Sequence, residues 1–403
     1  MDKRIFSEAS LRAHLILAHT TGVSSRKVLK LIHEENLSAL EICEYAAHQN
    51  KQMRAVFSSD TVSELARPGE AVATHIQNAL NWFDPDQHQY LITWDNPIYP
   101  PLLRHIPDPP LLLYVKGSLE YLNKPSLAIV GSRNPTAQGA RNAFEFASSL
   151  SKAGFNIVSG LALGIDSAAH EGALSHELGT TVAVIGTGID RVYPAKNREL
   201  AHGIVERGVI VSEYPVGTPP RDLHFPQRNR IIAGLSRGVL VVEAALKSGS
   251  LITGRLAADF GRDVFAIPGS IHSVQSKGCH TLIKQGAKLV DTVDDIVGDF
   301  CVKQNEIAVS EEQRSSQIEI GNNGSSLSTI SRGIVDSTGV SLDGLEADAQ
   351  RLLTYMAFDA YHADELQSLC EMDNATVLSQ LLQLELAGVV ARLIDGRWQR
   401  VAP

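Results

Sequence analysis

At 403 residues with 44% apolar side chains, the chain has material for two or three globular domains. Its first apolar run, residues 15–18, is short, no stretch nears the ~18 residues of a membrane span, and Cys43, Cys279, Cys301 and Cys370 lack metal-ligand spacing; a cytoplasmic protein with reduced thiols and no structural zinc is expected. The net charge of −9 argues against a nucleic-acid binder as a whole, but residues 1–125 hold 12 Lys+Arg against 14 Asp+Glu, residues 126–298 hold 17 against 15, and residues 299–403 hold 7 against 16, which leaves the middle free to carry a basic site.

Residues 1–85 read as a small helical domain, with Leu11, Leu15 and Ala18, then Val28, Leu29 and Ile32, at helical spacing around a turn at 20–25. The turn TTGVSSRKVLK is similar to a helix-hairpin-helix, a module that grips a DNA backbone through turn amides. Arg26, Lys27 and Lys30 are placed to support such contacts, but the second turn glycine is missing, so a packing or partner-binding module is the expectation.

Residues 86–300 read as an α/β core. Short β-branched runs, LAIV at 127, NIVS at 156, TVAVI at 181, GVIVS at 208, GVLVVE at 238 and DVFAIP at 263, alternate with helical stretches. Runs this continuous have no wet face, which predicts a doubly wound parallel sheet covered by helices on both sides, with ligands beyond the carboxyl ends of the strands. The loop after each strand is therefore a candidate site.

After the first strand, Gly131, Ser132 and Arg133 lead to a helix opening at Pro135 and Thr136. A glycine lets the backbone approach a ligand, the first helical amides are unpaired donors, and Arg133 adds a planar charged fork, so this junction is built to hold a phosphate. The second strand leads into SGLALGIDSAAHEGAL, where Gly160 and Gly164 frame a turn and Asp166 is expected to cap the next helix. The third leads into GTGIDRVYPAKN, where Gly186 and Gly188 permit close approach, but the third glycine and the ribose-binding acid of a dinucleotide site are absent, so no NAD or other cofactor is expected.

HFPQRNRIIAGLS, residues 224–236, gathers Phe225, Arg228, Asn229 and Arg230, read here as a loop just before a helix. An aromatic ring to stack on a base, with arginines on phosphates, is how single strands are held without reading their sequence. VVEAALKSGSLITG, residues 241–254, offers Lys247 before Ser248, Gly249 and Ser250, a second amide cradle at a helix start. Glu243 reads as a buried partner for a nearby arginine. Cys279 and His280 are adjacent, but neighbouring side chains point apart and no carboxylate orients them, so thiol catalysis is not expected. Leu282, Ile283 and Leu289 fit an apolar interface and a core equally well.

Residues 301–340 turn polar and aperiodic, as a flexible linker does. Residues 341–403 read as three helices and a hairpin around Asp395 and Gly396, a winged-helix arrangement with Trp398 in its core. Its third helix carries Glu385 and no Lys or Arg, and the segment holds 4 basic against 10 acidic residues, so it is expected to bind protein rather than DNA.

Taken in order and spacing, VGSRNPTAQG, SGLALGIDSAAHEGAL, GTGIDRVYPAKN, FPQRNRIIAGLS and EAALKSGSLIT, preceded by WDNPIYPPLLRHIPDPPLLLYVKG, resemble the DNA-processing protein A family, also called DprA or Smf. The resemblance implies a sterile-alpha-like N-terminal domain, an extended Rossmann-like core and a winged helix. It implies a non-enzymatic single-stranded DNA-binding protein that dimerises through its core and delivers a RecA-type recombinase onto incoming DNA in natural transformation. The family's phosphate-binding residues fall on Gly131, Ser132 and Arg133, its basic-aromatic loop on Phe225, Arg228, Asn229 and Arg230, and its turn on Lys247, Ser248, Gly249 and Ser250. Gly254 departs from the alanine of many members. The rival reading is a nucleoside-monophosphate phosphoribohydrolase of the wider superfamily, but LVVEAALKSGS lacks that enzyme's PGG turn and following glutamate.

Overall fold

The computed structural model describes residues 7–48, 50–300, 348–349, 352–353, 356, 360–370, 372–386, 389–392 and 397–400. The chain divides into two compact units, Met1–Ser316 and Gln317–Pro403. The predicted linker, residues 301–340, lies outside the described residues.

The first unit begins with six helices, α1 (Glu8–His19), α2 (Ser25–Glu34), α3 (Ala39–Ala47), α4 (Lys51–Val56), α5 (Ser59–Ala66) and α6 (Glu70–Trp82). Side-chain caps start several of them: Ser38 and Glu41 make a reciprocal capping box on α3, and Ser58 caps α5. Residue 85 marks no break in packing. Leu15 of α1 and Val72, Ile76 and Ala79 of α6 share one apolar core with the sheet residues Leu91, Leu112 and Tyr114.

There follow β1 (Gln89–Thr93), α7 (Pro101–Arg104), β2 (Leu112–Gly117), β3 (Ser126–Val130), α8 (Ala137–Lys152), β4 (Asn156–Ser159), α9 (Ile165–Ala173), β5 (Thr181–Val184), α10 (Arg198–Arg207), β6 (Val209–Ser212), α11 (His224–Leu235), β7 (Gly238–Val241), α12 (Gly249–Asp259), β8 (Asp263–Ala266), α13 (Lys277–Lys284) and β9 (Lys288–Leu289). The strands form one sheet in the order β1-β2-β6-β5-β4-β3-β7-β8-β9. From β6 to β9 every pairing is parallel, and β3 to β7 are buried at every residue, as their unbroken apolar runs require. The expectation of a parallel sheet is corrected at one edge, where β1 and β2 pair antiparallel with each other and β2 antiparallel with β6. Separate apolar clusters fill the two faces, one with Val130, Ile232 and Leu251, the other with Ile129, Ala147 and Ile165.

The chain leaves β3 for β4 on one side and β7 for β8 on the other, so strand order reverses between β3 and β7. Such a reversal opens a crevice beyond the carboxyl ends of the two strands.

The second unit is a three-stranded antiparallel sheet, β10 (Ala360–Tyr361), β12 (Trp398–Arg400) and β11 (Val390–Arg392), with α14 (Ala363–Cys370) and α15 (Asn374–Leu386). Leu366, Val377, Leu381, Leu384 and Trp398 form its core together with Ala349, Leu352 and Met356, so Trp398 is buried as expected. The predicted turn at Asp395 and Gly396 lies outside the described residues.

Candidate nucleic-acid interface

The loops at the strand reversal are fastened to one another before they meet any ligand. The carbonyl of Ser132 accepts from the amide of Ile165 at 3.1 Å, joining the loop after β3 to the start of α9. Gly164 adopts φ +84°, and a Cβ there would lie 2.4 Å from the same Ser132 carbonyl, so only glycine fits this crossing. Gly131 is glycine for a different reason from the one the sequence suggested: a Cβ would lie 2.6 Å from the Ile165 side chain, so the position serves helix packing.

The first expected cradle is already filled by the protein. Thr136 caps α8 by accepting from the amide of Gly139 at 3.0 Å. Its own amide and hydroxyl donate to the two carboxylate oxygens of Glu243, at 2.9 and 2.6 Å. Glu243 is therefore not an arginine partner. Its carboxylate holds the amide and hydroxyl of the α8 cap residue at the positive end of the helix dipole, so an internal anion already sits at that helix start.

The open crevice lies beside it. A cleft of about 410 Å³ is lined by Gly131 and Arg133 from the β3 loop, by Phe225, Arg228, Asn229 and Ile232 from α11, and by Ser248, Gly249, Ser250 and Thr253 from the start of α12. The segment read as a loop is helix α11 itself, with Pro226 tolerated in its first turn. Residues 225, 228, 229 and 232 are spaced i, i+3, i+4 and i+7, so one stripe of the helix faces the cleft. Arg230, two residues beyond Arg228, is turned some 200° around the axis at ~100° per residue. It donates to Glu213 at 2.6 Å and lies 3.6 Å from Asp108, so its expected phosphate contact is not where the structure places it.

The turn expected to form the second cradle lies at the start of α12. Ser248 caps α12, accepting from the amide of Ser250 at 3.3 Å, and Asn229 donates to the Gly249 carbonyl at 3.3 Å, holding α11 against that turn. The positive end of this 11-residue helix thus borders the cleft, with the Ser250 amide taken by the Ser248 hydroxyl and the Leu251 amide by the Ser248 carbonyl. Lys247 is exposed on the preceding turn and does not line the cleft.

Two arginines supply the charge, in opposite settings. Arg133 is exposed, lies over the Phe225 ring at 5.3 Å, and has no ion pair with a carboxylate among the described residues. Arg228 is 4% exposed and donates through Nη1 to the Val184 carbonyl. Gly160 is glycine because a Cβ would enter that guanidinium, so it shapes the floor rather than touching ligand. Likewise Gly186 makes room for Phe225, whose ring would lie 3.0 Å from a Cβ. Asp166 does not cap its own helix; its carboxylate accepts from the amides of Gly160 and Ala162 at 3.1 and 3.4 Å and tightens the preceding loop. Burial pushes Arg228 down to about 10 and pushes Asp166 upward, each against the attraction of the other.

The remaining titratable candidates are structural. His170 is fully buried, bonds Thr181 at 2.7 Å, and burial depresses it to about 3. Cys279 donates to the Val241 carbonyl at 3.5 Å, and burial raises its thiol to about 11, the reverse of an activated nucleophile. Sequence reasoning missed Thr253 and Ile232; their helical spacing from Ser250 and from Arg228 and Asn229 was the signal available.

The chain matches the family DNA recombination-mediator protein A over residues 90–301 and the DprA winged helix domain over residues 337–396. It is similar to Protein Smf of Synechocystis, 38% identical over 342 residues that cover 80% of this chain and 84% of that one. It is also similar to the DNA processing protein DprA of Streptococcus pneumoniae, 51% identical over 202 residues, 50% of this chain and 71% of that one. The X-ray structure of DNA processing protein A from Streptococcus pneumoniae aligns with a TM-score of 0.61 at 39% identity, covering 72% of this chain and 98% of that chain. A core match over more than half the chain, a matching winged helix and a relative matched over most of its length carry one conclusion: this chain belongs to the DNA recombination-mediator protein A family.

Proposed function

We propose that this protein binds the backbone of single-stranded DNA in the cleft at the strand reversal and performs no chemistry on it. One observation carries the reading: a single cleft is lined by the capped start of α12, the exposed Arg133, the buried Arg228 and the Phe225 ring. Amides and arginines recognise phosphate, an aromatic face accepts any base, and neither reads sequence. On this reading Gly131, Ser132, Gly160 and Gly164 shape the cleft, Arg133, Arg228, Asn229, Ser248, Gly249 and Ser250 hold phosphate, and Lys247 contributes long-range attraction. The family resemblance extends the proposal to a homodimer formed through the Rossmann-like core and delivery of a RecA-type recombinase onto the bound strand, and the 4 basic against 10 acidic residues of 341–403 extend it to a winged helix that docks a protein partner.

The phosphoribohydrolase alternative needs a free carboxylate facing the ligand. Glu243 is committed to Thr136 and Asp166 is buried against two amides, which leaves Asp222, exposed on the cleft lining, as the carboxylate among the described lining residues that this alternative would have to use.

A salt series of binding to single- and double-stranded oligonucleotides tests the reading. Single-strand affinity should fall with a log-log slope of about −0.7 per neutralised phosphate. A flat salt response, or release of free base from nucleoside monophosphates by pure protein, would overturn it. Removal of residues 341–403 should leave strand affinity intact.

A further inference from the structure

In the second unit, α15 (Asn374–Leu386) is apolar on two sides, and its own core uses only one of them. Val377, Leu381 and Leu384 are fully buried in that core, whereas Leu378 is 40% exposed and Leu382 51% exposed. With the exposed Ala375 these two are spaced i, i+3 and i+7, so at ~100° per residue they form one stripe on the outer side of the helix. A helix on the surface of a domain keeps its outer face polar; an apolar outer stripe is one that a further element covers. Leu369 of α14 completes the set of exposed large apolar side chains among the described residues of this unit.

α15 is the helix that a winged helix lays in a DNA groove, and the charge around the stripe decides against that occupant. Residues 362–386 hold Asp364, Glu365, Glu371, Asp373 and Glu385, with no Lys or Arg. Asp373 accepts from the hydroxyl and amide of Thr376 at 2.6 and 3.0 Å, bonds that hold its carboxyl below the usual carboxylate range. Glu385 follows Leu382 by three residues and Leu378 by seven, so a carboxylate closes the far end of the stripe. A phosphate backbone is repelled by such a surface, and a second copy of the same face would set acid against acid.

Resting on the reading of the winged helix as a protein-docking module, we propose that the outer stripe of α15 is its docking surface and that the partner is a basic amphipathic helix. Such a helix is apolar at i, i+3 or i+4 and i+7 and edged by Lys or Arg. The leucines supply affinity, and the acidic rim selects a basic partner over an acidic one. Covering a leucine that is half exposed is worth about fivefold to tenfold in affinity, half of a full burial.

The experiment titrates the full chain with three fluorescent synthetic peptides of equal length: Leu and Lys in amphipathic order, the same composition scrambled, and Leu and Glu in amphipathic order. Only the first should bind, and a chain ending at residue 340 should not bind it. Leu378→Gln combined with Leu382→Gln should weaken it at least tenfold, about the product expected for two half-covered leucines. The same variant should keep the wild-type urea midpoint and oligo-dT affinity, since both side chains lie outside the core and glutamine suits a helix. Glu385→Lys should weaken the Leu/Lys peptide and leave oligo-dT affinity unchanged. Loss on truncation without loss in the double glutamine variant, or equal binding of the scrambled peptide, would overturn the stripe while leaving the winged helix a protein-docking module. Duplex DNA affinity that disappears on truncation would instead strike the protein-docking reading itself. A dimer of the full chain that the double glutamine variant dissolves would assign the stripe to a second copy and so also overturn the proposal.

Discussion

The buried pair Arg228 and Asp166 is predicted to weaken the fold while serving the ligand, and replacing both side chains tests this. Burial dominates both groups: it takes Arg228 from 12.5 to about 10 and moves Asp166 upward. At 1.36 kcal/mol per tenfold, the arginine alone gives up roughly 3 kcal/mol of stability at neutral pH. Its bond to the Val184 carbonyl returns about 1 kcal/mol. Arg228→Met alone should still destabilise, by roughly 3 kcal/mol, because Asp166 loses the larger of the two positive charges, Arg228 and Arg133, that offset its burial. Arg228→Met combined with Asp166→Asn removes both charges, and the asparagine oxygen can still accept from Gly160 and Ala162. The double variant should unfold in urea within about 1 kcal/mol of wild type, or later, and should bind oligo-dT at least tenfold more weakly, the expected order for one lost charged contact. A double variant as unstable as Arg228→Met alone, or one with undiminished strand affinity, refutes the reasoning.

Three further outcomes are expected. Arg230→Ala should cost roughly 3 kcal/mol in urea unfolding by stranding Glu213, yet leave the salt slope of strand binding unchanged, since Arg230 is turned away from the cleft; a shallower slope would return it to the site. Glu243→Gln should lower stability by about 1 kcal/mol through loss of the charged cap on α8, with strand affinity unaltered, because its anion seat is internal to the protein; a rise in affinity would mean that seat can take phosphate. Burial holds His170 at about 3, and burial together with His75 holds His19 at about 4, both below the ordinary 6.5. The unfolded chain therefore takes up protons first, so stability is complete above pH 6.5 and falls as pH drops toward 4, by at most ~1.4 kcal/mol per pH unit per histidine. Urea midpoints between pH 7 and 5 should show this fall, and His19→Gln should make it shallower.

Much of the fold is legible in the residues. Unbroken β-branched runs announce strands buried on both faces, because an alternating pattern is what a half-wet strand would need. The turns after them announce where ligands gather. The two antiparallel edge strands were not legible, because strand direction depends on which neighbour is reached through a connection, and β1 and β2 pair beside a strand, β6, that comes about a hundred residues later.

Within the site, sequence alone determined which residue types converge: glycine turns, an aromatic ring, arginines and a serine-capped helix start. Only tertiary structure decided what each one meets. Glu243 reaches the amide and hydroxyl of Thr136, the cap of α8, from 107 residues away and sits where local reading left a seat open. Gly131 and Gly160 are small because Ile165 and Arg228 come to lie against them. Arg228 and Arg230 look equivalent as neighbours in a string, but on a helix two residues apart means nearly opposite faces, so one lines the cleft and the other joins Glu213 and Asp108. Composition and spacing carry the chemistry a chain has available; the helix phase and the long-range partner determine which of those groups remain free to bind.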